Sequence, residues 1–163
     1  MTRHDWQTPR FFIDLVREVA PIALDPCSAG KMGWGAKNYI EADDGLTKDW
    51  YIPPGQLFYC NPPYGRALSA WSRKIVSSYG PGIALVPVRT DAAWWVSLFS
   101  ASLHCVAWRS PVFGTRIQFV NPDTGKPGEQ NNHASCVFYF GEKGSQQSAK
   151  FVEVFSKHGL VLK

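Results

Sequence analysis

The stretch from Leu57 to Gly65 reads LFYCNPPYG and joins a short apolar run to a rigid polar turn. Successive apolar residues of this kind are typical of a strand buried on both faces. Pro62 and Pro63 have fixed φ angles and no backbone N–H, so the turn presents carbonyl acceptors beside the amide of Asn61 and the ring of Tyr64. Such a corner suits a flat ligand that carries an amino group.

The exocyclic amine of a nucleobase is such a group, and it is a poor nucleophile because its lone pair is delocalised into the ring. The side-chain oxygen of Asn61 and the carbonyl of Pro62 can each accept one of its N–H bonds while Tyr64 stacks on the base. With a sulfonium methyl held in line, placement and hydrogen bonding supply the catalysis. The alternative is that this tetrapeptide is only a turn, since Asn, Pro and Gly are common turn residues.

Strand-like and helix-like segments alternate on both sides of this corner. The first helix is predicted to begin with Thr8 as N-cap and Pro9 at the first helical position, and to end before Pro21. The alternation predicts an α/β fold with a mostly parallel sheet and ligands at the carboxyl ends of its strands. The expected strands are 22–25, 38–40, 57–60, 83–88, 105–108, 135–140 and 160–162, and the later helices 67–79, 91–101 and 146–157.

The composition predicts one domain over residues 1–163, with ordinary hydrophobic content of 45% and charged content of 18%. The first 60 residues carry a net charge of −2 and residues 61–120 a net charge of +5. This division favours a cationic small molecule and a polyanion respectively, although chance and solubility are the alternative. Without a membrane span or a signal-peptide region, the protein is expected to be cytoplasmic.

Metal chemistry is not predicted. The cysteines are widely spaced without a C-x-x-C pair, and the histidines show no metal-ligand spacing. Buried free thiols are expected, at Cys27, Cys60, Cys105 and Cys136.

Several segments, taken in order, resemble the small Dam-like DNA adenine-N6 methyltransferases of bacteriophages and prophages. They span most of the chain: Trp6 to Pro9, Leu24 to Ser28, Asp44 to Leu46 with Trp50, Cys60 to Gly65, Leu85 to Asp91 and Gly114 to Phe119. The resemblance implies a single-domain, pared-down Rossmann-like methyltransferase without a separate target-recognition domain. It also implies S-adenosylmethionine as cofactor and double-stranded DNA as partner, with the adenine flipped out before transfer.

The resemblance also implies roles for individual residues. The expected catalytic residues are Asn61, Pro62, Pro63 and Tyr64, and the expected cofactor-binding residues are Asp25, Pro26, Cys27, Ser28 and Asp44, with Thr8 and Pro9. Arg89, Thr90 and Arg116 are expected to contact DNA, and the loop 109–134 to read bases. Trp6 is a candidate to pack over the cofactor. Glu41 and Asp43 are the candidates for a ribose-binding acid, for which the short Gly-rich element gives no firm counterpart.

Alternatives remain for most of these roles. Cytosine-N4 transfer is the first alternative, because it uses the same acceptors, and methylation of glutamine or RNA follows it. A non-catalytic nucleic-acid-binding protein is an alternative from a different functional class. Asp25 is otherwise a carboxylate that caps a loop, Asp44 an Asx-turn before Gly45, and Arg89 a solvated side chain at a helix start. The oligomeric state and the recognised DNA sequence are left open.

Overall fold

The computed structural model describes residues 6–29, 33–128 and 133–163, and its centre is a sheet of seven strands. The strands are β1 (Ile22–Asp25), β2 (Lys37–Asn38), β3 (Leu57–Cys60), β4 (Gly82–Pro87), β5 (His104–Trp108), β6 (Ser135–Phe140) and β7 (Gly159–Val161). The α-helices are α1 (Arg10–Val19), α2 (Leu68–Ser77), α3 (Ala93–Ala101) and α4 (Gln146–Phe155). Short 3₁₀ turns cover Glu41–Asp43 and Ser156–His158.

The strands lie side by side in the order β2-β1-β3-β4-β6-β5-β7. Strand β1 is parallel to β2 and β3, and β3 is parallel to β4. Strand β6 is inserted antiparallel between β4 and β5, and β7 is antiparallel to β5. Strands β1 to β5 therefore point the same way, and their carboxyl ends meet at one edge of the sheet, where ligands of open α/β sheets bind.

Helices cover both faces of the sheet, because its central strands carry apolar side chains on each face and both faces must be buried. In β3, Leu57 and Tyr59 pack with α1 and α4, whereas Phe58 and Cys60 pack with α2 and α3. All four side chains are buried. The prediction of an α/β fold with a mostly parallel sheet is confirmed.

The first helix differs from its prediction. Pro9 occupies the N-cap position of α1, and no side chain caps the helix. The Thr8 hydroxyl lies instead 2.7 Å from the hydroxyl of Tyr59. The oxygen of an N-cap accepts a backbone N–H of the first turn, and the structure shows no such bond for Thr8, whose hydroxyl contacts Tyr59 and Asn61 instead. The prediction of Thr8 as N-cap is wrong because Pro9 holds that position and the Thr8 side chain turns towards β3.

The segment before α1 pairs with the long connection between β5 and β6. Gln7 and Val120 exchange two backbone hydrogen bonds of 2.8 Å. The Trp6 ring lies so close to Gly128 that a Cβ atom there would collide with it. Packing of Trp6 on this connection brings the N-terminal segment to the carboxyl edge of the sheet. Within the loop 109–134, which was expected to read bases, residues 129–132 lie outside the described residues.

The helices of residues 6–29, 33–128 and 133–163 include none with the length and apolar character that crossing a bilayer requires. In those same ranges, His, Cys, Asp and Glu side chains form no group of three or more that suits a metal ion. The thiols of Cys27, Cys60, Cys105 and Cys136 are free, as predicted, although Cys27 is only half-buried.

Candidate active site

Asn61 follows the last residue of β3 and stands at the carboxyl edge of the sheet. Its Nδ2 donates a hydrogen bond of 3.3 Å to Thr8 Oγ1. Its Oδ1 is buried and has no partner among the described residues. A buried amide oxygen is normally paired, so this atom is an acceptor available to a ligand. Pro62, next in the chain, is also buried.

Tyr64 completes the corner as a half-buried ring. Phe119 meets it nearly edge-on, with ring centroids 6.1 Å apart and an interplanar angle of 83°. Its hydroxyl is buried without a partner among the described residues. Burial raises the pKa of the Tyr64 hydroxyl, so this group keeps its proton at neutral pH and does not act as a base.

Asp25 ends β1, the strand next to β3, and only 4% of its surface is exposed. Its carboxylate accepts backbone N–H bonds from Cys27 at 3.2 Å and from Trp34 at 3.3 Å. Desolvation raises the pKa of Asp25 to about 6 in spite of these bonds. Above that pH the site holds a buried negative charge that two long hydrogen bonds compensate incompletely.

The loop after Asp25 is held by backbone pairing with Tyr39, which donates to Asp25 O at 2.9 Å and accepts from the Ser28 N–H at 2.8 Å. The Ser28 hydroxyl is buried and unpaired within the described part of the chain. Gly45 lies against the Pro26 carbonyl so closely that a Cβ atom would collide with it. Only glycine therefore fits at position 45, next to the exposed Asp44 in the chain.

Two thiols join this loop to the amide corner. The Sγ atoms of Cys27 and Cys60 are 3.5 Å apart. Burial raises the pKa of the Cys27 thiol, while a hydrogen bond from the Asn61 backbone N–H opposes the rise. Both groups of predicted site residues therefore meet at one place on the carboxyl edge.

The predicted DNA contacts lie around the same edge. Thr90 and Arg89 follow β4 and are exposed. The Arg89 guanidinium is engaged by Asp91, with two hydrogen bonds of 3.0 Å. Arg116 lies half-buried in the connection after β5. Of the two ribose-binding candidates, Asp43 uses its carboxylate to accept the Ile40 N–H at 3.0 Å, and Glu41 is exposed.

Sequence reasoning missed two residues of the site, Tyr59 and Phe119. Tyr59 was interpreted only as part of a buried strand, and Phe119 only as the end of a segment that resembles the family. A tyrosine inside an otherwise apolar buried strand is itself a signal, because its hydroxyl needs a hydrogen-bond partner. The partner, Thr8, is 51 residues away in the chain. No local pattern points to it.

An amide corner and a carboxylate loop lie at adjacent carboxyl ends of a mixed α/β sheet, the place where open α/β sheets bind their ligands. The chain matches the family described as DNA N-6-adenine-methyltransferase (Dam) over residues 1–162, and it belongs to that family. It is therefore an adenine-specific DNA methyltransferase, and the family implies use of S-adenosylmethionine. The resemblance seen in the sequence is confirmed.

A protein of Haemophilus phage HP1 (strain HP1c1) named DNA N-6-adenine-methyltransferase is 25% identical to this chain over 150 residues. The match covers 89% of this chain and 83% of the phage protein. No solved structure matches the chain.

Proposed function

We propose that the enzyme binds S-adenosylmethionine beside the Asp25 loop and methylates the N6 amine of an adenine flipped out of double-stranded DNA at the Asn61 corner. The observation that carries this proposal is Asn61 Oδ1, a buried acceptor without a partner among the described residues. It lies beside the loop that follows the buried carboxylate of Asp25, and the contact of Cys27 with Cys60 connects the two. One domain, residues 1–163, performs both tasks.

Asn61 and Pro62 act on the target amine by accepting its two N–H bonds, which frees the nitrogen lone pair from the ring. Pro63 keeps the corner rigid, and Tyr64 receives the face of the base. Neither the amide of Asn61 nor the protonated hydroxyl of Tyr64 takes a proton from the amine beforehand. Rate enhancement then comes from placement and from oriented acceptors.

The residues of the Asp25 loop fit a nucleoside that carries a positive charge. Asp25 supplies a buried negative charge, Ser28 a buried hydroxyl without a partner among the described residues, and Asp44, next to Gly45, a second carboxylate. Pro26 and Cys27 form the wall between them, and Thr8 and Pro9 flank the amide corner. When bound, S-adenosylmethionine supplies a methyl group activated as a sulfonium.

The DNA-binding face lies around the carboxyl edge of the sheet. It includes the exposed Arg89 and Thr90, between β4 and α3, and the half-buried Arg116 after β5. Extruding a base from a duplex costs a few kcal/mol of unstacking, which phosphate contacts and the Tyr64 pocket offset. Since the chain is similar to a phage protein named as a DNA methyltransferase, we expect it to act in the cytoplasm of a bacterial host cell.

The test is transfer of a tritiated methyl group to duplex DNA and to a matched single strand, followed by digestion to nucleosides. We expect label in N6-methyladenine from the duplex. S-adenosylhomocysteine at saturation should raise the melting temperature. Label confined to the single strand contradicts the duplex assignment, and an unchanged melting temperature contradicts the cofactor site.

Tyr64→Ala should lower kcat/KM for DNA by about 5- to 150-fold, since stacking of a base on an aromatic ring contributes about 1–3 kcal/mol. Tyr64→Phe is the matched control. It keeps the ring and removes only a hydroxyl that has no partner among the described residues, so its kcat/KM should stay near wild type. Steady-state methylation assays compare the two variants. Equal losses in both contradict a stacking role.

Arg89→Ala should weaken duplex binding at all sequences and reduce the slope of log affinity against log salt by about one phosphate contact. Asp91→Asn should strengthen duplex binding, because the Asp91 carboxylate accepts two hydrogen bonds from the Arg89 guanidinium and holds it away from phosphates. Lys150→Ala on α4 is the control, since Lys150 is likewise paired, with Glu153 at 2.9 Å. Fluorescence anisotropy over a salt series measures all three variants. A slope in Arg89→Ala equal to that of Lys150→Ala contradicts the assignment.

A further inference from the structure

The Asn61 side chain has two chemically opposite ends, and only its oxygen can accept a hydrogen bond from an amine. A half-turn of the amide presents an NH₂ group to the substrate amine and places donor against donor. The site therefore needs a device that fixes the orientation of this amide. The acceptor role of Asn61 in the proposed function does not itself supply one.

The described residues contain such a device on the opposite side of the amide. Asn61 Nδ2 donates to Thr8 Oγ1 at 3.3 Å, and Thr8 Oγ1 lies 2.7 Å from the hydroxyl of Tyr59. Thr8 is 3% exposed and Tyr59 is 1% exposed, so water does not compete for these bonds. The outcome is a chain of three polar side chains in which Asn61 Oδ1 has no partner within the described part of the protein.

Thr8 is itself held in place from both sides. The residue before it, Gln7, pairs with the backbone of Val120 through two bonds of 2.8 Å. The residue after it is Pro9, which restricts Thr8 to extended backbone conformations. The Thr8 hydroxyl is thus fixed relative to β3 before any ligand binds.

The chemistry of the two hydroxyls suits this task. Thr8 fixes the amide when its own O–H donates to the Tyr59 hydroxyl, because its oxygen then offers Asn61 only lone pairs: it can accept from Nδ2 but cannot donate to Oδ1. Burial raises the pKa of the Tyr59 hydroxyl, so the phenol remains a neutral partner. A neutral phenol places no charge behind the amide.

We propose that Thr8, braced by Tyr59, is a positioning residue that holds the Asn61 amide with its oxygen towards the target amine. This inference rests on the proposed role of Asn61. It also reassigns Thr8, which the sequence placed in the cofactor pocket, to orientation of the acceptor corner.

The test compares Thr8→Val with Thr8→Ser under single-turnover conditions, with enzyme in excess over duplex DNA. Thr8→Val should lower the rate constant of methyl transfer about tenfold, the loss expected for one buried hydrogen bond. Its affinity for S-adenosylhomocysteine should stay within twofold of wild type. Thr8→Ser restores the hydroxyl and should recover most of the rate.

A second pair of variants keeps the test informative if Thr8→Val fails to fold. Tyr59→Phe removes the brace and should lower the transfer rate about threefold. Tyr139→Phe is its matched control, because Tyr139 is equally buried in the same core cluster and its hydroxyl makes no bond to the Asn61 corner. Tyr139→Phe should transfer at the wild-type rate.

Three results overturn the inference. They are a wild-type rate in Thr8→Val, a loss confined to cofactor affinity, and equal rates in Tyr59→Phe and Tyr139→Phe. Failure of the proposed function gives a different pattern, in which Asn61→Ala itself turns over normally. An inactive Asn61→Ala together with an active Thr8→Val overturns only the positioning role.

Discussion

Asn61→Ala is expected to lower the rate of methyl transfer by at least about 10²- to 10³-fold, the effect of removing one preorganised hydrogen-bonding group from a reacting centre. The alanine leaves the amine with a single acceptor, the Pro62 carbonyl, so its lone pair stays conjugated with the ring. The variant loses the Oδ1 atom, which has no partner among the described residues, and a single hydrogen bond of 3.3 Å from Nδ2 to Thr8, so we expect the fold to persist.

Single-turnover transfer of a tritiated methyl group to duplex DNA measures this loss, and the melting shift with S-adenosylhomocysteine serves as the control. We expect the shift to be retained, because the Asp25 loop keeps its own backbone bonds to Tyr39. Normal turnover by Asn61→Ala contradicts the catalytic assignment. Loss of the melting shift together with activity indicates a cofactor-binding role instead.

Asp25→Asn is expected to remove a pH-dependent contribution of about 3 kcal/mol to the free energy of unfolding, since one pKa unit corresponds to about 1.4 kcal/mol. The pKa of Asp25 rises from 3.8 to about 6 on folding, because desolvation disfavours the charged carboxylate. The folded state therefore binds the proton more tightly. The stability that this group contributes is full below pH 3.8 and is lost as the pH rises through about 6.

Urea denaturation of the wild type and Asp25→Asn at pH 4 and at pH 8 measures this effect. Relative to the variant, the wild type should lose free energy of unfolding between these values. Ser28→Ala is the control, because it removes a buried neighbour of Asp25 that carries no charge, and its pH profile should follow that of the wild type. A constant difference between wild type and Asp25→Asn contradicts the raised pKa. A carboxylate that costs stability at neutral pH is typical of a group kept for binding.

Local sequence patterns predicted much of this fold. Strands β1 (Ile22–Asp25), β3 (Leu57–Cys60) and β6 (Ser135–Phe140) have the predicted bounds, β5 begins one residue earlier than predicted, and β4 is shifted by one residue at both ends. A continuous apolar run is typical of a strand that is buried on both faces, so such a strand can be recognised from a few neighbouring residues. The insertion of β6 between β4 and β5 was not predicted, since the neighbours of a strand depend on contacts far apart in the chain.

The site residues likewise divide into those with a local sequence signal and those placed by contacts between distant parts of the chain. Asn61 and Tyr64 could be selected from the sequence because two adjacent prolines after a buried strand fix a local geometry. Thr8 was predicted to cap a helix, which is the ordinary use of threonine before proline at a helix start. Only the packing of α1 against β3 brings its hydroxyl to Tyr59.

The sequence by itself determined the rigid acceptor corner and the carboxylate at the end of β1, because proline geometry and strand burial act over a few residues. The tertiary structure alone decided that these two elements are adjacent, and that Thr8 and Tyr59 hold the amide from behind. The physical reason is that a hydrogen bond between residues 51 positions apart follows from the order of strands and the docking of α1, and neither is encoded in a local pattern.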